Sequence, residues 1–166
     1  MAQPGSSDGS DINVGEGKQI VKEAASWKGT EYQKIGDKSV KKVGGDCSGS
    51  TWRIYQAAGF PYPYQATATF AKYVQSSGGF RELKSGEAHQ DGDLLLWSSH
   101  MAIYTSFADD QDNATTQRTN KSGTAFTQRN NMWSATRTGG LPYGPYRIEY
   151  FSTTEKPRYF RYQKAP

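Results

Sequence analysis

Cysteine is almost absent from this chain: one residue, Cys47, among 166. A lone thiol forms no internal disulfide, so the fold must be held by its own core and the thiol stays available for chemistry. Histidine is nearly as scarce, with only His89 and His100, and the sequence offers no zinc-type cluster of Cys and His ligands; no metal or cofactor is expected. No window approaches the roughly 18 consecutive apolar residues of a membrane-crossing helix. The opening stretch, MAQPGSSDGSDINVGEG, has neither a basic region followed by an apolar one nor anything to bury. Neither membrane insertion nor a general secretion signal is therefore expected in the chain as written.

What remains is aromatic. Apolar residues make up only 34% of the chain and mean hydropathy is -0.83, yet aromatics reach 13%, with 11 Tyr and 4 Trp, so core and clefts should both be ring-lined. The length suits one domain able to bury about 70% of its unfolded surface. A net charge of +4 and a pI near 9.1 favour an anionic partner such as nucleic acid, a membrane surface or a cell-wall polymer. Both signs of charge are interspersed, so a solvated surface accounts for the balance equally well.

Residues 1–16 read as a flexible Gly/Ser/Asp leader, followed by a single domain over 17–166. Ile20, Ala24 and Trp27 recur at helical spacing within 18–28, with Gly29 as a stop. Cys47, Thr51, Ile54, Tyr55 and Ala58 share a second helical face ending at Gly59, and Phe70, Ala71 and Val74 a third over 67–75. The pattern then changes to strands at 93–97 and 100–107, a turn over 108–113, a return strand over 114–120, and further strands at 146–151 and 159–162. GGLPYGPY reads as a surface loop. Helices first and a mostly antiparallel sheet second define an α+β class.

Cys47 lies in Val43-Gly-Gly-Asp-Cys-Ser-Gly-Ser-Thr51, at the start of the second helix. A lone cysteine is most often a packed apolar residue. Against that, unpaired N–H groups and the positive dipole end at a helix start favour a thiolate, and glycines at 44, 45 and 49 admit close approach. Asp46 suits a helix cap. A thiol nucleophile needs a base. His89 sits in the polar stretch SGEAHQDGD, where an exposed loop residue is expected, whereas His100 opens an apolar strand after Trp97-Ser-Ser99, where a rigid element can aim it. Cys at a helix start with His at a strand start is the pairing cysteine hydrolases use.

Gly29-Thr-Glu-Tyr32, Gly45-Asp-Cys-Ser-Gly49 with Tyr55-Gln-Ala-Ala-Gly-Phe60, Asp91-Gly-Asp-Leu94 and His100-Met-Ala-Ile-Tyr104 follow one another in an order and spacing that resemble the NlpC/P60 family of peptidoglycan endopeptidases, over residues 18–107. The resemblance implies a papain-like α+β fold with helices packed on an antiparallel sheet, Cys47 as nucleophile and His100 as general base. It also implies that Tyr32, Asp46 and Ser48 line the stem-peptide pocket, with Asp46 or a neighbour gripping a cationic amine. In the family a third polar residue on the following strand orients the imidazole. The usual spacing lands on Asp112, but ADDQDN has turn composition, which moves the role to Gln117 or Asn120; Gln117 is preferred. The expected activity is cysteine-dependent hydrolysis of peptidoglycan peptide bonds without metal. An exported role follows in the periplasm or cell wall of a target bacterium, as an interbacterial type VI secretion effector with a cognate immunity protein, as a phage-type lysin, or as a mature secreted enzyme; the first is preferred for a compact domain with no targeting module. The competing class is a basic, Tyr-rich nucleic-acid-binding module centred on TQRTNKSGTAFTQRNN, which no recognisable motif supports.

Overall fold

The computed structural model describes residues 10–136, 141–150 and 154–165. Three helices lie in the first half of the chain: α1 (Val14–Ser26), α2 (Cys47–Ala57) and α3 (Thr67–Ser77). Nine strands are described: β1 (Ser10–Asp11), β2 (Phe80–Glu82), β3 (Leu94–Leu96), β4 (Met101–Tyr104), β5 (Thr115–Thr119), β6 (Ala125–Arg129), β7 (Met132–Thr136), β8 (Leu141–Tyr146) and β9 (Arg158–Lys164). The main sheet runs β1-β9-β3-β4-β7-β8, with β2 also paired to β9, and every pairing is antiparallel. The class is α+β, as expected.

Residues 10–16 are not a leader. Asn13 and Glu16 form a reciprocal capping box that starts α1 four residues before the expected Lys18, because two otherwise unpaired backbone N–H groups find side-chain acceptors there. Ser10 and Asp11 pair with Lys164 and Gln163, and Ile12 is buried. Residues 1–9 of the expected leader lie outside the described residues.

The helices bury Ile20, Ala24, Trp27, Ile54, Tyr55 and Phe70 against Leu94, Leu96, Met101, Ile103, Trp133 and Phe160 on one face of the sheet. Each fully buried Leu, Ile or Phe contributes about 2 kcal/mol by leaving water. The alternate residues Leu95, Ala102 and Met132 face a second cluster with Trp97, Tyr146 and Ile148, so the central strands are buried on both sides and read as continuous apolar runs rather than alternating ones. Asp91-Gly-Asp-Leu94 locks this sheet to the helices. Tyr55 OH donates to the Gly92 carbonyl at 2.5 Å, and Asp93 takes a bidentate bond from Arg161 at 2.9 Å.

The strand expectations after 107 need correction. β5 covers the expected return strand but pairs with β6 in a separate two-stranded hairpin instead of continuing from β4. On the side away from β3, β4 pairs with β7, which was not anticipated. Within GGLPYGPY, residues 141–146 form β8, not a surface loop. Ile148–Tyr150 are a 3-10 turn where a strand was expected.

Candidate functional site

Asp46 sets the start of α2. Its Oδ1 accepts the Gly49 N–H and its Oδ2 the Gly36 N–H, each at 2.8 Å, so one carboxylate caps the helix and ties it to the 33–36 segment. Gly49 permits this contact: a Cβ there would come within 2.1 Å of the Gly36 carbonyl oxygen and of Ser39 Oγ. Gly36 itself has φ of +56°, a backbone that side-chain-bearing residues avoid. The glycine-rich setting of Cys47 therefore serves close packing behind that residue, and not only access to it.

Cys47 is the first residue of α2 and is half-buried. Its Sγ lies 3.6 Å from Oγ1 of Thr67, the first residue of α3, so two helix starts converge on the sulfur. The nearby backbone N–H groups of Met101 and Ser48 also pull the thiol down. These contacts favour the thiolate, yet burial outweighs them and pushes the thiol above its ordinary value. The expected lowering by the helix start is thus overturned: desolvation, the largest influence, wins.

His100 immediately precedes β4 and is 8% exposed. Burial pushes its imidazole down to about 4. Its Nε2 is 2.8 Å from Ser134 Oγ on β7. That hydroxyl also lies 3.2 Å from the Met101 carbonyl and 3.0 Å from the Ala135 carbonyl, and Trp97 leans on the ring at 5.3 Å.

The two residues share one cleft of about 470 Å³, lined also by Tyr32, Lys34, Asp46, Ser48, Tyr64, Thr67, Ser98 and Ser99. All three expected pocket residues are thus brought together, although their contacts differ from those anticipated. Both Asp46 oxygens are engaged by backbone, and Ser48 Oγ is 3.0 Å from Tyr64 OH. Tyr64 in turn stands edge-on to Trp52 at 5.5 Å. Tyr32 bridges to Gly45, two residues before Cys47.

Gln117 is not part of this site. It lies on the separate β5–β6 hairpin, where its amide donates to Thr127 Oγ1 at 2.8 Å, because residues 108–130 form a turn and a hairpin that return to the main sheet only at β7. Asp112 and Asn120, the other expectations, fall in that same excursion. The group facing the imidazole is Ser134, which sequence reasoning missed; its signal was the short apolar strand Met132-Trp-Ser-Ala-Thr136. His89 stacks face to face on Tyr159 at 3.5 Å, away from the cleft.

Among the described residues no three His, Cys, Asp or Glu side chains group as a metal site, and no helix is long and apolar enough to cross a membrane. No protein-family model and no curated protein matches the chain.

Proposed function

We propose that the protein is a cysteine hydrolase of papain-like fold, similar to the NlpC/P60 enzymes, that cuts amide bonds in peptidoglycan stem peptides or cross-links. The observation that carries this is the meeting of Cys47, at a helix start, and His100, at a strand start, in one cleft with Ser134 behind the imidazole. With the thiol pushed up and the imidazole pushed down, the resting pair is neutral, and the imidazole acts as a general base rather than as half of a preformed ion pair. His100 takes the thiol proton as Cys47 attacks the scissile carbonyl, and backbone N–H groups at the start of α2 receive the developing oxyanion. The protonated imidazole then gives its proton to the leaving amine. Water, deprotonated by the regenerated base, releases the acyl group and restores the thiol. No step calls on a cofactor.

The biological setting we infer is attack on the wall of a neighbouring bacterium, with delivery by a type VI machine and an immunity protein that blocks the cleft in the producing cell. Incubation with purified sacculi tests the chemistry. Wild-type protein should release muropeptides whose masses identify the bond cut, and Cys47→Ala should release none. Identical products from both would overturn the proposal.

A further inference from the structure

His100 follows directly on the tip of the hairpin that joins β3 to β4. Leu96 pairs with Met101, and Trp97 N–H donates to the His100 carbonyl at 2.9 Å, which leaves Ser98 and Ser99 as a two-residue connection. Such short connections hold themselves when their central residues adopt a positive φ, the geometry that Asn-Gly pairs supply. Neither serine does: among the described residues other than glycine, only Lys42 and Phe107 have a positive φ. The tip is therefore not fixed by its own backbone preference, and it is held from outside. Glu155 Oε2 accepts the Ser98 N–H at 3.0 Å, and Oε1 accepts the Ser98 hydroxyl at 2.7 Å. The carboxylate comes from the segment leading into β9, whose register sets Arg158 opposite Leu96. Arg158 is itself fixed by two bonds to Glu82, at 2.8 and 2.9 Å. Ser98 and Ser99 line the Cys47 cleft beside His100, and Trp97 packs on the imidazole at 5.3 Å.

We propose that Glu155 is a positioning residue: by gripping Ser98 at the hairpin tip, it keeps the His100 imidazole aimed at Cys47. This rests on the hydrolase function proposed above. Glu155 is not among the residues lining the cleft, so it acts through the hairpin and not on the substrate. Ser134 meets the ring at Nε2, while Glu155 fixes the backbone that carries the ring. Once released, the tip can relax toward other turn geometries, and His100 moves with it because Trp97 and His100 close the hairpin. A displacement of about 1 Å between base and nucleophile is enough to slow the reaction severely. The grip acts through its two bonds and not through charge. A glutamine at 155 can make both, its oxygen accepting the Ser98 N–H and its amide donating to a lone pair of the hydroxyl, whereas an alanine makes neither.

The test uses the full chain, a soluble stem peptide and the variants Glu155→Ala and Glu155→Gln, at a temperature well below their unfolding midpoints. Glu155→Ala should lower kcat by about tenfold to a hundredfold with KM changed less than about twofold. Its thermal midpoint should fall by only about 2–3 °C, the scale of a lost surface contact in a chain of this length. Glu155→Gln should recover kcat to within about threefold of wild type. Hydrogen exchange at the Ser98 amide, read by NMR, should speed up in Glu155→Ala while the central strands keep their protection. Wild-type kcat in Glu155→Ala, or a Glu155→Gln as slow as Glu155→Ala, overturns the positioning role and leaves the hydrolase intact. Ser98 exchange that is the same in wild type and Glu155→Ala overturns the grip itself. Wild-type protein that cuts neither the peptide nor sacculi overturns the hydrolase function and the role of Glu155 with it.

Discussion

Ser134 Oγ stands 2.8 Å from His100 Nε2, behind the imidazole. A hydroxyl has one proton, and two of the three groups around this one are carbonyl oxygens, those of Met101 at 3.2 Å and Ala135 at 3.0 Å, which can only accept. The hydroxyl can give its proton to one of these carbonyls while a lone pair receives an Nε2 proton at 2.8 Å. With the Nε2 proton turned to the serine, Nδ1 carries the lone pair, the form that the proposed general base requires. A serine does this with no charge of its own, so nothing in the contact raises the imidazole against the burial that lowers it.

Removing that hydroxyl should therefore affect turnover more than binding. Ser134→Ala should lower kcat by about tenfold to a hundredfold with KM nearly unchanged, at a stability cost of about 1 kcal/mol. Steady-state kinetics on a soluble stem peptide, paired with urea unfolding, separates the two effects. A rise in KM at constant kcat would place Ser134 outside the proton relay.

The buried imidazole makes stability depend on acid. His100 titrates at about 4 in the folded chain against an ordinary 6.5. Below pH 6.5 the unfolded chain binds a proton that the folded one refuses. Stability is thus fully present above pH 6.5 and falls as pH drops through the window to 4, by about 3 kcal/mol. His89 is lowered by burial as well, so the contribution of His100 is read as a difference: His100→Gln should flatten the pH 4–7 dependence of the unfolding midpoint relative to wild type. Parallel curves would show that the ring titrates alike in the folded and unfolded chain.

Asp46 should prove to be a scaffold residue. Asp46→Ala leaves the Gly36 and Gly49 N–H groups without their acceptor and should cost about 2–4 kcal/mol, measured by urea unfolding. Asp46→Asn should recover only part, because an amide offers one acceptor oxygen where two are used. Unchanged stability in Asp46→Ala would mean that the start of α2 does not depend on this cap.

The legible part of the sequence was the part where local signals and site geometry coincide. Cys47 at a helix start was readable from the Asp46 cap and the Ile54/Tyr55 face, and His100 from the apolar strand that follows it. Lost were features whose cause is long-range. Gln117 was preferred because the hairpin of β5 and β6 has ordinary strand composition, and nothing local reveals that it pairs with itself and leaves β4 to β7. β8 was hidden by its Pro and Gly residues, tolerated on a strand that ends the sheet order among the described residues. The thiol's raised pKa was missed since helix-start effects are visible in sequence and burial is not. One miss was avoidable: Asn13 and Glu16 spell a capping box within the stretch taken for a leader.

The single cysteine makes the central claim directly measurable. Treatment with methyl methanethiosulfonate adds one small methylthio group per chain, counted by intact mass, and a reducing thiol removes it. Muropeptide release from sacculi should fall in proportion to the fraction of Cys47 modified, reach zero at full modification, and return on reduction. Fully modified protein that still digests sacculi would contradict Cys47 as the nucleophile.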